Sequence, residues 1–419
     1  MNEWTTSPLE DLATFQKGRK VEVINQARNG FLPYLGAGVI AGRANSEFAS
    51  IIGAVLASEN DLLMLWDGER SGLVGTGKRG VVSSTVAKLT PKPKIDGRFL
   101  CYALFRYFDW IQARRTGTGV PHVPKDLAKI LQVDHPADKS EQLRIANVLD
   151  TIDEAISTTE AVIAKLKQVR TGMLRDLLSY GLNEHSQLRD PIDHPEQFKD
   201  SPLGLIPREW ETMTLRTLCN HIGSGVTPRG GQDVYSKEGI LFIRSQNVRF
   251  EGLKLDDIAF ISKHIHLGML RSEVFTHDVL FNITGASIGR CCAMPDCLGQ
   301  ANVNQHVCIL RVPEATEADA LFLSTVLGST IGQKQLDALN TCGNRQGLNY
   351  QQLGSFMVPW PKSGERHLIA QHVKKSATYL SKEIDEVKKI CSLKSGLQDD
   401  LLTGQVRVPE TIMEGAESL

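Results

Sequence analysis

Residues 171–181 read TGMLRDLLSYG, and residues 395–405 read SGLQDDLLTGQ. The two phrases share a glycine, an aspartate and a Leu-Leu pair at a single offset of 224 residues. Carried upstream, that offset lays Glu141-Gln-Leu-Arg-Ile-Ala-Asn over Glu365-Arg-His-Leu-Ile-Ala-Gln. The apolar positions in between coincide without a gap: Ile145 with Ile369, Leu149 with Val373, Ile156 with Leu380, Ile163 with Val387, Leu166 with Ile390. Such an internal repeat decides how the rest of the chain is read.

Within each copy the apolar residues step by four and three. They are Ile145, Leu149, Ile152, Ile156, Thr159, Ile163 and Leu166 in the first, and Val373, Ala377, Leu380, Ile384, Val387 and Cys391 in the second. This heptad seam predicts two long helices that pair as a coiled coil. About 40 residues of helix span roughly 60 Å. Gly172 and Gly396 occupy the same place in both copies. A glycine inside a helix costs roughly 1 kcal/mol relative to alanine, so a kink, a close helix crossing or a break is expected there.

The segments ahead of the helices repeat as well. Trp4, Leu9 and Leu12 match Trp210, Leu215 and Leu218; Asp61–Gly68 matches Asp278–Gly285; Gly72 falls on Gly289. A β-like run, Val81–Leu89, corresponds to Val303–Val312, and each run is followed by a helical pattern, a polar glycine loop and a short apolar strand. Short strands with one or two helices and many glycine turns predict an α+β domain. The expected fold is therefore α+β: two globular domains joined by two long antiparallel coiled-coil helices, in a pseudo-two-fold internal repeat. The boundaries read 1–140 for the first domain, 141–182 for the central helix and 183–207 for a polar, proline-rich linker. The second domain follows over 208–364, the second helix over 365–404 and a tail over 405–419.

Composition narrows the class. The 419 residues are 41% hydrophobic and 23% charged, and no apolar run approaches the roughly 18–20 residues that span a bilayer. The N-terminus has neither a basic nor an apolar region, so no signal peptide is expected. Eight cysteines without a regular framework read as reduced thiols of a cytoplasmic protein. The net charge of −1 conceals an uneven distribution: residues 1–140 carry 18 Lys+Arg against 14 Asp+Glu, and residues 141–200 carry 7 against 11. A mildly basic first domain permits DNA binding without demanding it. Two related but non-identical domains on a two-fold suit a duplex with two separated, different half-sites.

Taken together, the paired helices ending Thr171-Gly-Met-Leu-Arg-Asp-Leu-Leu and Ser395-Gly-Leu-Gln-Asp-Asp-Leu-Leu, the opening Leu205-Ile-Pro-Arg-Glu-Trp210, the loop Gly223-Ser-Gly-Val-Thr-Pro228 and Gly343-Asn-Arg-Gln-Gly-Leu-Asn349 resemble the specificity subunits of type I restriction–modification enzymes. The resemblance covers essentially the whole chain. It implies two target-recognition domains held apart by helices that act as a ruler, and a bipartite, asymmetric double-stranded DNA site. It also implies two methyltransferase subunits docked on the helices and two restriction (motor–nuclease) subunits in the full complex. S-adenosylmethionine, ATP and Mg are implied for those partners, with no cofactor in this chain. Recognition domains of the family vary, so no base-contacting residue transfers.

Three motifs touch on other chemistry. Gly72-Leu-Val-Gly-Thr-Gly-Lys78 begins like a P-loop, but Arg79 stands where a Ser or Thr should hold Mg²⁺. A glycine hairpin presenting Lys78 and Arg79 to phosphate, or a plain exposed turn, reads better. Gly36-x-Gly38-x3-Gly42 is a structural turn, with no βαβ unit around it. Cys291-Cys292-x4-Cys297 with His306 lacks the paired spacing of a zinc knuckle. No catalytic tetrapeptide of an adenine methyltransferase, helicase P-loop or nuclease carboxylate cluster is present, so the chain is expected to be non-catalytic and metal-free. An overlooked enzyme and a non-DNA scaffold built on the coiled coil are the competing readings.

Phosphates are held by Arg, Lys, hydroxyls and backbone amides, and base edges are read by Arg, Asn, Gln and hydroxyls. Glycine loops at matching places in both halves supply these types. In the first domain they are Lys17, Arg19, Lys20, Arg70, Lys78, Arg79, Arg114, Arg115, Thr116, Thr118 and His122. In the second they are Thr227, Arg229, Arg244, Ser245, Gln246, Asn247, Arg249, Asn282, Thr284, Ser287, Arg290, Asn304, Gln305, His306, Asn344, Arg345, Gln346, Asn349 and Tyr350. Arg345-Gln346 and Arg244–Asn247 are the leading candidates.

Overall fold

The two repeated phrases lie at the ends of two long helices, Lys139–Tyr180 and Ser363–Leu402. The structure is a computed structural model and describes residues 4–117, 119–228, 230–296, 298–340 and 347–409. Its contacts divide the chain into two units, Met1–Glu160 with Asp385–Leu419, and Ala161–Ile384. The six-part division read from sequence places its boundaries at the helix ends; these units divide inside the helices. The reason is antiparallel packing: in each unit the start of one long helix lies beside the end of the other. In the first unit Ile145 and Leu149 share a core with Leu401 and Leu402. In the second, Leu177 and Leu178 share a core with Ile369 and Val373.

The first unit is built on a four-stranded antiparallel sheet. Strand Val86–Pro91 is flanked by Ala13–Lys17 and Leu62–Leu65, and Leu62–Leu65 pairs onward with Val74–Thr76. Beside it Phe31–Leu35 runs parallel to Gly80–Val82, with Tyr34 opposite Val81. Helix Gly97–Arg106, capped by the Asp96 carboxylate, buries Phe99, Leu100, Ala103 and Leu104. Strand Trp4–Pro8 pairs with Gln132–Pro136 just ahead of the long helix.

The second unit repeats this plan. Val307–Arg311 lies between His221–Ser224 and Val279–Asn282, and the latter pairs with Cys291–Ala293. Ile240–Ile243 runs parallel to Ala301–Val303. Glu211–Thr214 pairs with Met357–Trp360 ahead of the second long helix. Each β-like run of the sequence is thus two strands, because the chain changes sheets in its middle, leaving loops at Ser83–Thr85 and Asn304–His306.

Residues 183–207, read as a linker, hold more structure than their prolines suggest. Phe198–Ser201 and Gly204–Pro207 form a hairpin, and Leu182 and Ile206 enter the core of the second unit. Gly172 and Gly396 mark neither a break nor a close crossing: both helices run through, and a Cβ at either would meet nothing within 4 Å. Among the described residues no helix is long and apolar enough to cross a membrane.

Candidate nucleic-acid interface

The sheet plan brings three loops together at one end of each antiparallel sheet. In the first unit they follow strand Ala13–Lys17, strand Leu62–Leu65 and helix Phe108–Gln112. The last loop is strapped to the second by backbone bonds, Gly68 N to Pro121 O at 2.8 Å and Val123 N to Trp66 O at 2.9 Å. Thr116 and His122 close its neck with reciprocal bonds of 3.0 and 2.8 Å. In the second unit the equivalent bond runs from Leu348 N to Ile283 O, 2.8 Å, with Thr284 bridged to Gly347.

Glycines allow the close approach. Gly18 follows Lys17, and a Cβ there would lie 2.1 Å from the carbonyl oxygen of Ser83; at the equivalent Gly225 it would lie 1.6 Å from that of Val303. The loop after the second strand turns through Gly68 and Gly72 in one unit and Gly285 and Gly289 in the other, all at positive φ. These are backbone conformations that a Cβ disfavours.

In the first unit Lys17, Thr116 and His122 converge, around a residue the sequence reading missed. The Asp67 carboxylate takes Lys17 Nζ at 2.8 and 3.1 Å and His122 Nδ1 at 2.7 Å. Arg19, Lys20 and Arg70 are exposed on the adjoining loops. Arg114 lies 3.9 Å over the Trp110 ring, and Arg115 donates to the carbonyls of Gln112 and Glu69, bracing the loop. Lys78 and Arg79 are exposed but sit elsewhere: their turn is at the opposite end of the Leu62–Leu65/Val74–Thr76 ladder from Asp67.

In the second unit a chain of side-chain hydrogen bonds links Thr227, Gln305, His306 and Thr284. Beside it, Tyr350 Oη is 2.6 Å from Ser224 Oγ and accepts from Ser224 N at 3.1 Å. The 244–247 loop joins through Asn282, whose Nδ2 donates to Ser245 O at 2.8 Å and Ser287 Oγ at 3.1 Å. Arg244 and Gln246 both reach Asp257, a second acidic residue absent from the sequence reading. Arg244 donates to its carbonyl at 2.8 Å, and Gln246 donates to its carboxylate at 2.5 Å.

Several candidates serve the scaffold instead. Asn247 and Asn282 are 1% and 0% exposed. Asn247 accepts from Arg244 N and donates to the carbonyls of Lys254 and Asp257, so it fastens a turn and does not face outward. Asn304 is buried and accepts from His306 N. Asn349 caps helix Tyr350–Gly354 in a capping box with Gln352. Arg249, on the two-residue strand Val248–Arg249, and Arg290, whose carbonyl accepts from Asn282 N at 2.8 Å, have half-buried side chains. Thr118, Arg229, Asn344, Arg345 and Gln346 lie outside the described residues.

The signal for Asp67 was in the repeat itself. Asp67 falls on Thr284 at the offset that matches Asp61 with Asp278, and Thr284 was a candidate. A search for cations and hydroxyls passes over a carboxylate. Asp61 and Asp278 hold matching structural places, accepting from Ser58 N at 2.8 Å and from Phe275 N at 2.7 Å. Burial raises the Asp61 pKa, but hydrogen bonds from Thr90 and Ser58 outweigh it and hold the carboxyl below its usual range.

The family of type I restriction modification DNA specificity domains matches residues 1–168. The specificity subunit of the type I restriction enzyme MjaVIII from Methanocaldococcus jannaschii is 26% identical over 412 residues, 97% of this chain and 93% of that protein. The specificity subunit of the Escherichia coli enzyme EcoBI is 26% identical over 364 residues, 85% and 75% of the two chains. Among solved structures, the type I restriction–modification S subunit of M. genitalium superposes with a TM-score of 0.63 at 19% identity, over 96% of both chains. A chain from work on assembly and conformational transition of the type I system gives 0.52 at 14% identity, over 95% of this chain and 97% of its own. A family match at the first domain, relatives aligned through both repeats and a shared fold along the whole length agree: the chain is similar from end to end to the specificity subunits of type I restriction–modification enzymes.

Proposed function

We propose that this chain is the sequence-reading subunit of a type I restriction–modification complex. It binds a bipartite, asymmetric DNA site, one unit to each half, and the long helices set the spacing between the halves. It has no catalysis of its own. Two methyltransferase subunits and two restriction subunits dock on it and supply the chemistry, using S-adenosylmethionine, ATP and Mg; the assembly works in the cytoplasm. The observation that carries the reading is that loops at the same end of the matching sheets hold different polar side chains in the two units. Lys17, Asp67 and His122 meet in one; in the other, Thr227 and Thr284 are linked through Gln305 and His306 of the sheet-crossing loop. One scaffold with two different reading surfaces fits two different half-sites.

The test is binding of the full chain to duplex DNA over a salt series. Phosphate contacts make log K fall linearly with log salt, so affinity should drop steeply between about 50 and 200 mM. A scaffold for non-DNA modules would show no salt-sensitive binding.

A further inference from the structure

Asp67 stands out from its surroundings. It is a carboxylate only 14% exposed, whereas Glu69 on the same loop and the neighbouring Arg19, Lys20 and Arg70 are exposed. Its second-unit counterpart, Thr284, is neutral and pairs with His306. A carboxylate there repels phosphate, so it has little use on a surface that only grips the backbone. Its geometry fixes two neighbours. Because a carboxylate only accepts, the His122 Nδ1 at 2.7 Å carries the proton. In its neutral form a ring held this way presents Nε2 as an acceptor, from a side chain 45% exposed. The same carboxylate holds Lys17, 46% exposed, at 2.8 Å. An ammonium has three donors, so Lys17 keeps donor capacity beyond Asp67. The result is a donor and an acceptor held together by one half-buried anchor, on loops locked by four backbone hydrogen bonds.

We propose that Lys17, Asp67 and His122 determine specificity at one base pair of one half-site. Lys17 donates and His122 Nε2 accepts, while Asp67 acts as the positioning residue that fixes the tautomer of one and the aim of the other. The set selects a base-pair edge that offers an acceptor beside an amino group. In the major groove that is adenine N7 with N6, or guanine O6 with the N4 of its paired cytosine. The proposal rests on the DNA-reading function above and adds which residues read and what they read.

The experiment is selection of the full wild-type chain on a randomised duplex library, repeated with Lys17→Met, Lys17→Arg, His122→Ala and Asp67→Asn. The wild type should enrich a split motif. Lys17→Met, His122→Ala and Asp67→Asn should each lose roughly tenfold discrimination at the same base pair, within the 1–3 kcal/mol typical of one mismatched position. Lys17→Arg, which keeps the donor, should retain it, and the other half-site should be unchanged in all four. Loss at an A·T pair assigns the adenine edge; loss at a G·C pair assigns O6 with N4. Unaltered preference in every variant overturns the proposal. So does equal loss in both half-sites, which would make the trio a brace for folding. A wild-type chain that enriches nothing removes the DNA-reading function and the assignment together, and that result precedes any variant.

Discussion

Glu365 opens the second long helix and carries more bonds than a helix start requires. It accepts from Arg189 Nη1 at 2.6 Å, Leu182 N at 2.7 Å and Trp210 Nε1 at 3.0 Å. Arg189 and Glu365 are only 9% and 11% exposed. Removing one partner of a buried pair leaves the other charge uncompensated, at about 3–5 kcal/mol. Glu365→Ala should therefore destabilise the second unit by that amount in urea denaturation; a cost below about 1 kcal/mol would show that the pair behaves as if solvated. The sequence showed Glu365 as a repeated residue but not its partner, because Arg189 lies in the segment read as a linker. Asp319 gives a pH test in the same unit. Burial pushes its pKa up, but bonds from Thr316 and Arg366 outweigh this and hold it below the usual carboxylate range. Its contribution is then complete above an ordinary aspartate pKa of about 4 and lost as pH falls through the lower folded value. Asp319→Asn should be less stable than wild type at pH 7 and should lose less on further acidification; parallel acid profiles would contradict this.

At the scale of elements, the heptad seam was legible and its details less so. Ile152, Ile156, Ile163 and Leu166 are half-buried, the last three between exposed neighbours, as the four–three spacing requires. The second copy keeps this spacing but not the expected residue: Ile390, the counterpart of Leu166, takes the inward place, and Cys391, expected on the seam, is exposed. The repeat offset distinguishes the two residues where the four–three count alone does not, and the exposed thiol differs in reactivity. Burial pushes the thiols of Cys219, Cys292 and Cys308 up to about 12. A maleimide should therefore label Cys391 in the native protein and those three only after unfolding, as peptide mapping would show. The shared glycines were misread for a physical reason, since a cost at equal places suggested a local need for close packing. Because a Cβ would meet nothing at either position, Gly172→Ala and Gly396→Ala should each raise stability, by up to about 1 kcal/mol. A measured loss would reveal strain at those positions. The loops that meet at the sheet ends were legible as glycine loops rich in polar side chains. Which of those side chains turn inward, as Asn247 and Asn282 do, depends on tertiary hydrogen bonds that no spacing encodes.

For the whole molecule, each unit is completed by the other repeat. The glutamate that opens each long helix is held by an arginine that follows the other one: Glu365 by Arg189, and Glu141 by Arg407 at 2.7 and 2.8 Å. The duplicated phrases end beside tryptophans, Trp210 buried and Trp4 half-buried, in the same crosswise manner. A Cβ on Gly181 would lie 2.4 Å from the Trp210 ring, and one on Gly404 would lie 2.6 Å from that of Trp4. The repeat predicted antiparallel helices, and the crosswise closure explains why neither half of the sequence corresponds to a folding unit. If the helices set the distance between the reading units, inserting four residues into one of them adds roughly 6 Å. The unspecified spacer of the DNA site should then grow by about two base pairs with both half-sites intact; a changed half-site with a constant spacer would contradict the ruler. The most direct test of the central claim is co-expression of the chain with the methyltransferase subunit proposed to dock on it, in a methylation-free host, followed by modified-base sequencing of the genome. A split, asymmetric motif methylated in both halves is the expected result. Two soluble, associated proteins that leave the genome without any new motif would contradict the account.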